Sequence, residues 1–261
     1  MEKCTVRPRH FEIGEWGAAV KDYLPAGLRS LSVDLFFRYM PVSFIRFLWK
    51  ELDGYFKLKT PRSGEVVVDA GVWTGHFTVI AARLVGTRGK VLAIEPQKIM
   101  CDRLKNRLKR LGLNNVTIVN SALFNCRSEL TVPLRNDSGF SVLSESDGTG
   151  KTDIVSLRTL DEILDSLDVK QVDFIKMDIE GAEIEALSGM QSTLRSQRPF
   201  LAIASYHLRH GARTCTRVEE ILKGYDYSAK TGHVWHLTTW GWCNADQNAG
   251  MLSKVPVARG I

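Results

Sequence analysis

The residues of this chain best able to do chemistry are carboxylates set beside glycines. Asp69-Ala70-Gly71-Val72-Trp73-Thr74-Gly75 closes a run of valines and leads into a helix-forming stretch. A glycine turn between strand and helix is where a doubly wound sheet binds nucleotides, because bare backbone can approach the ligand there. The dinucleotide fingerprint G-x-G-x-x-G opens on glycine, whereas this turn opens on Asp69, whose charge repels phosphate. The ligand read from the turn is cationic. S-adenosyl-L-methionine, with a sulfonium, an ammonium and no phosphate, has the matching charge, and Asp69, Ala70, Gly71, Trp73, Thr74 and Gly75 are its candidate contacts. In a purely structural reading Asp69 is a helix N-cap.

The next apolar run ends in Glu95-Pro96, where a carboxylate can accept from both hydroxyls of a ribose. Beyond a third run, Ser121 and Ala122 stand where an adenine edge would lie, or are simply loop. A fourth run gives Asp178-Ile179-Glu180-Gly181-Ala182-Glu183; read as strand, Asp178 and Glu180 share one face at its carboxyl end. Asp178 could hold the cofactor ammonium, orient an acceptor or, with Glu180, bind a metal. Two side chains fall short of the six or more oxygens a Mg²⁺ or Ca²⁺ site prefers, so no metal ligand set is assigned. Glu183 suits the start of the following helix. His207, after a fifth run, is the first candidate for a general base, with a strand-end structural role as its alternative.

These residues need a frame. From residue 65, short β-branched runs (Val66 to Ala70, Val91 to Ile94, Val116 to Val119, Val172 to Met177, Phe200 to Ala204) alternate with helix formers at Phe77 to Leu84, Ile99 to Leu111, Leu160 to Leu167 and Glu183 to Arg195. That alternation predicts a parallel sheet with helices on both faces, an α/β fold of Rossmann-like type. Leu130 to Leu134 and Ile154 to Leu157 flank a Ser/Asp/Gly-rich stretch and predict a hairpin or insertion over the strand ends. Gly224 to Trp242 predicts a terminal antiparallel hairpin turning at Lys230-Thr231-Gly232, whose Trp235, Trp240 and Trp242 either wall an acceptor pocket or pack the hairpin.

The chain divides into a helical N-terminal extension, 1–62, and a cofactor-binding domain, 63–261. The apolar stripe from Leu31 to Leu58 is interrupted by Arg38, Pro41, Arg46 and Lys50, too often for a spanning helix. It packs on the chain itself, forms a homodimer contact, or touches a membrane surface peripherally; the first reading is favoured. The net charge of +6 suits an anionic partner, but the basic residues of 98–110 lack interleaved aromatics and read as a solvated helix face, so no nucleic-acid partner is expected. Five scattered cysteines and a polar N-terminus without an apolar leader core fit a cytoplasmic protein.

Taken together, VVVDAGVWTGHFT, AIEPQ, NSALFN, SLRTLDEIL and VDFIKMDIEGAEIEALSGM, in that order, resemble the FkbM family of class I methyltransferases. The pairing of Thr159-Leu160-Asp161 with DIEGAE is the specific part. The resemblance implies a seven-stranded, mostly parallel methyltransferase sheet, S-adenosylmethionine as cofactor, and O-methylation of a small-molecule, glycan or lipid acceptor. This chain departs from the family at Val72-Trp73-Thr74-Gly75-His76 and at Ser205-Tyr206-His207, where relatives often carry an acid before the histidine. An RNA or protein methyltransferase is the nearest rival; a nicotinamide oxidoreductase and a non-catalytic membrane-surface scaffold are further ones.

Overall fold

The five apolar runs pair as their composition demands. In the computed structural model, which describes residues 54–133, 143, 152–233 and 237–243, they form β1 (Val66–Ala70), β2 (Lys90–Ile94), β3 (Val116–Val119), β7 (Phe174–Met177) and β8 (Phe200–Ala204), all parallel. Between them β4 (Ala122–Leu123), β5 (Ser128–Pro133) and β6 (Thr152–Arg158) make a separate three-stranded sheet, in which β5 and β6 are the expected antiparallel hairpin. After β8, the short strands β9 (Leu208–Arg209) and β10 (Ala212–Arg213) pair only with each other. Strands β11 (Ser228–His233) and β12 (Leu237–Trp242) complete a seven-stranded sheet of order β11-β12-β8-β7-β1-β2-β3, with β12 antiparallel to both neighbours. This is the mixed sheet of a class I methyltransferase fold.

The helices are α1 (His76–Val85), α2 (Lys98–Leu111), α3 (Leu160–Ser166), α4 (Glu183–Ser188) and α5 (Cys215–Gly224). They cover the central strands, whose residues are buried on both faces, which is why those strands read as continuous apolar runs rather than alternating ones. Helix α2 stops at Gly112, in left-handed conformation, whose amide returns to Leu108. Thr159 caps α3 by accepting from the Glu162 amide at 3.1 Å.

Three expectations are corrected. The helix expected over 183–195 is broken: α4 ends at Ser188 before its cap Gly189, and a π-helical turn follows at Thr193–Gln197, where Asp161 takes the amides of Ser192 and Thr193 at 2.8 and 2.9 Å and the Thr193 hydroxyl at 2.6 Å. Lys230, Thr231 and Gly232 are not a turn: they lie in β11, paired with Trp240, Thr239 and Thr238. The glycine serves packing, since a Cβ there would lie 2.6 Å from the Trp240 ring. Arg107 leaves the solvated face of α2 and is buried, donating to the Thr74 carbonyl at 2.8 Å.

The described end of the N-terminal extension packs on the sheet. Gly54–Phe56 form one turn of 3₁₀ helix, and the Trp240 indole donates to the Gly54 carbonyl at 2.7 Å, so Trp240 packs rather than walling a pocket. Phe56 stacks on Phe77 with centroids 4.9 Å apart and also meets Phe174 at 5.9 Å. Residues 31–53 of the apolar stripe, Trp235 and most of the Ser/Asp/Gly-rich stretch lie outside the described residues. Among the described residues no helix is long and apolar enough to cross a membrane, and all four described cysteines are free.

Candidate active site

The glycine turn joins β1 to α1 and is held from three sides. Gly71 and Gly75 have φ of 79° and 74°, a region costly to residues with a Cβ. At Gly71 a Cβ would lie 1.7 Å from the Asp178 carbonyl, so only glycine lets the ends of β1 and β7 close together. Trp73 adopts φ 46° and is 37% exposed, an aromatic held in a strained conformation at the sheet's ligand-binding edge. Thr74 binds His76 Nδ1 through its hydroxyl at 2.7 Å.

Glu95 clamps the turn from β2. Its Oε2 accepts from the amides of Val72 and Trp73, both at 3.1 Å, and its Oε1 from Gln97 at 2.9 Å. Burial raises its pKa, opposed by those three amides and by the Lys176 charge. Pro96 lies beside it, its carbonyl accepting from Asn120 at 2.8 Å. Under Glu95, burial and then the Glu95 and Asp102 charges push the Cys101 thiol up to about 12, so it stays protonated.

Asp69 is fully buried. Its Oδ2 accepts from the Thr78 hydroxyl at 2.5 Å, and its Oδ1 pairs with Lys176 Nζ at 3.1 Å. Lys176 also donates to the Gly71 carbonyl at 2.5 Å and lies 5.5 Å from the Tyr55 ring centroid. The Asp69 charge is therefore neutralised inside the protein, and its visible work is to brace β1 against β7 and α1. The carboxylates that remain partly open to a ligand are Asp178 and Glu180, at the end of β7. Ser121 is likewise occupied: its hydroxyl donates to the Ala122 and Ser156 carbonyls, each at 3.1 Å, and Ala122 is buried in β4 against Val155 and Leu157.

The end of β7 carries the densest cluster of ionisable groups. Asp178 and Glu180 do not share a strand face, because β7 stops at Met177 and Glu180 takes a left-handed φ of 56°, followed by Gly181 at 101°. That turn, rather than strand alternation, brings both carboxylates to one ring. His207 Nε2 lies 3.4 Å from Glu180 Oε2 and 3.7 Å from Asp178 Oδ1, while its Nδ1 lies 3.0 Å from Glu183 Oε1. Glu183 is fully buried and also accepts from the Gly181 amide at 3.1 Å, so its place at the start of α4 serves two purposes. Tyr55, from the N-terminal extension, donates to Asp178 Oδ2 at 2.8 Å.

Burial works against a charge on His207, but hydrogen bonding to Glu180 and Glu183 and the fields of Glu183 and Asp178 outweigh it and lift the ring to about 10. An imidazolium has no lone pair for an acceptor proton. In this arrangement the ring favours the charged form, which balances the carboxylates and must lose a proton before it can act as the base expected from the sequence. Tyr206, packed against the His207 ring at 4.1 Å, has its pKa raised by burial and the same carboxylates. Arg209 ties the cluster down, donating to the Gly181 carbonyl at 2.8 Å and to both oxygens of Glu185.

Sequence reasoning missed Tyr55 and Lys176. A lysine inside the apolar run Phe174-Ile175-Lys176-Met177 was the available signal, since a strand buried on both faces holds a charge only with a partner. Nothing near Tyr55 marks it, because its partner lies 123 positions away.

The strand order, the glycine turn after β1 and an acid at the end of β2 define a class I methyltransferase fold. Residues 65–229 match the model of the methyltransferase FkbM domain, and the chain belongs to that family. The solved structure of the FkbM methyltransferase from Methylobacillus flagellatus KT superposes with a TM-score of 0.53 at 21% identity, covering 87% of this chain and 60% of that one. Over 58 residues the chain is 40% identical to a protein-L-isoaspartate O-methyltransferase of Ignicoccus hospitalis, 22% of this chain and 28% of that protein. Over 56 residues it is 41% identical to a probable cobalt-precorrin-6B C(15)-methyltransferase of Sulfurisphaera tokodaii, 22% and 29%. The chain thus matches little more than a quarter of the length of these curated relatives.

Proposed function

We propose that this chain methylates a hydroxyl oxygen of a small-molecule acceptor, a glycan, lipid or secondary metabolite, with S-adenosylmethionine as donor. The observation that carries the reading is the charge at the strand ends. Asp178 and Glu180 follow β7, Glu95 follows β2, and the lysine of β7 is tied to Asp69. Such a field favours a cationic cofactor and opposes a pyrophosphate. The donor residues are Gly71 to Gly75 and Glu95, with Asp69 bracing them from below. When bound, S-adenosylmethionine supplies an electrophilic methyl whose transfer to oxygen breaks the S–C bond, the electron pair remaining on sulfur.

The protein's share of the work is placement and proton removal. Holding the acceptor oxygen in line contributes up to about 7–11 kcal/mol in favourable cases. Asp178 and Glu180, the partly exposed carboxylates of the cluster, take the hydroxyl proton as the C–O bond forms, and His207 balances the charge they carry.

Calorimetric titration with S-adenosylhomocysteine, S-adenosylmethionine and NADH tests the class. The expected result is saturable binding of the adenosyl ligands alone; NADH binding without them would overturn it. Glu95→Gln keeps one acceptor oxygen and exchanges the other for a donor facing backbone amides, so S-adenosylhomocysteine affinity should fall about tenfold or more, a loss on the scale of one charge-assisted hydrogen bond. Unchanged affinity would remove Glu95 from the cofactor site.

A further inference from the structure

The side chains beyond β7 that serve the acceptor chemistry above are also of the types that ligate a cation. We propose that Asp178 Oδ1, Glu180 Oε2 and His207 Nε2 form a binding site for one divalent cation of the manganese type, with Glu183 and Tyr55 orienting its ligands. This deepens the reading of the same site and rests on it only for the cation's role toward an acceptor.

Geometry is the first support. One ligand atom from each residue lies within 4.8 Å of the others, and Nε2 is 3.4 and 3.7 Å from its two oxygen neighbours. Neighbouring ligands of an octahedral cation with bonds of about 2.0–2.4 Å stand about 2.8–3.4 Å apart, so side-chain shifts close the shell. The second support is the ring. The His207 side chain is only 9% exposed, and its Nε2 makes no hydrogen bond of good geometry while aiming at two carboxylates. Its other nitrogen faces Glu183 Oε1 at 3.0 Å. A carboxylate at Nδ1 keeps that nitrogen's proton in place while the cation displaces the one on Nε2 to solvent, which is the usual outer support of a metal-binding histidine. Tyr55 does the same for Asp178 by holding Oδ2 and leaving Oδ1 toward the ring.

Charge is the third support. Three carboxylates, Asp178, Glu180 and Glu183, surround one ring and leave an excess of negative charge even when the ring is protonated. A divalent cation removes that excess. One imidazole with two carboxylates and no thiolate suits a first-row ion of Mn²⁺ type better than Mg²⁺, which favours oxygen and water, or structural Zn²⁺, which favours sulfur and nitrogen. The coordination positions left over would take water or an acceptor hydroxyl, whose acidity a Lewis acid increases.

The test reads metal binding alone. The chelator-stripped full chain is titrated with Mn²⁺, with free Mn²⁺ followed by electron paramagnetic resonance and no cofactor present. One saturable site is expected. His207→Gln and Asp178→Asn should each weaken it at least tenfold, and Glu183→Gln about 10–100-fold through the ring. Asp168→Asn, on a carboxylate 84% exposed that precedes β7 while the cluster follows it, should leave it unchanged. Circular dichroism confirms folding, and Glu180→Gln, on a side chain 30% exposed, carries the same test if the buried variants fail to fold. Absence of saturable binding at millimolar Mn²⁺, or binding indifferent to all four ligand-side variants, overturns the site. Adenosyl-ligand binding is measured separately, so Mn²⁺ bound without it would uphold this site while defeating methyl transfer.

Discussion

At the scale of single residues, the site is built on one charge hidden under another. Asp69 and Lys176 face each other at 3.1 Å with side chains 0% and 6% exposed, so the carboxylate is dry and the lysine nearly so. Such a pair is weak evidence of stability in itself, because its attraction is offset by the cost of drying both ions. Breaking it from one side is another matter. Lys176→Met should destabilise the chain by about 3–5 kcal/mol, since Asp69 would remain buried without its counter-ion. Asp69→Leu combined with Lys176→Met should recover most of that loss. Urea denaturation of the single and double variants checks both; a single variant within about 1 kcal/mol of the parent, the range of an exposed pair, would mean water reaches Asp69. The sequence showed Asp69 at the right place and suggested a ligand-facing charge, yet the deciding contact comes from a different strand. Glu180 was similarly visible as a residue type, while its left-handed backbone, which turns the carboxylate to His207, was not.

At the scale of elements, periodicity carried most of the fold. β1, β3 and β8 lie where their β-branched runs put them, since strands buried on both faces leave an unbroken apolar signature. What periodicity could not show is where a helix yields to a contact made elsewhere. Residues 183–195 are mostly good helix formers, but α4 stops at Ser188 before Gly189, and Asp161, at the head of α3, captures the amides of Ser192 and Thr193 beyond it. This explains physically why Thr159-Leu160-Asp161 accompanies the DIEGAE segment, since Thr159 caps α3 and Asp161 ties α3 to the chain behind α4. Asp161→Ala should cost about 1–3 kcal/mol, the desolvation penalty of donors left buried beside the fully buried Thr193. Thermal melting checks this, and hydrogen exchange at Ser192 and Thr193 should accelerate ahead of the sheet amides. Equal protection in both forms would show that Asp161 is dispensable to the turn.

At the scale of the molecule, the last part of the N-terminal extension belongs to the core and to the site together. The sequence grouped Tyr55 and Phe56 with an amphipathic stripe and favoured packing over a membrane surface; these two residues pack, one under the aromatic cluster and one against Asp178. A boundary at residue 62 separates helical from alternating sequence, but the sheet's aromatic core draws on both sides of it. Phe56 is 1% exposed and touches Phe77 on α1 and Phe174 on β7, so it joins the two elements that flank the glycine turn. Phe56→Ala should therefore cost about 3–5 kcal/mol, the range for emptying a buried aromatic site. Denaturant unfolding measures it, and the same variant should weaken the hold on Tyr55 next to it. If Phe56→Ala costs only a fraction of this, the extension docks loosely and Tyr55 cannot be a fixed support for Asp178. If the full loss appears, the residues that precede the sheet are what hold one carboxylate of the site in place.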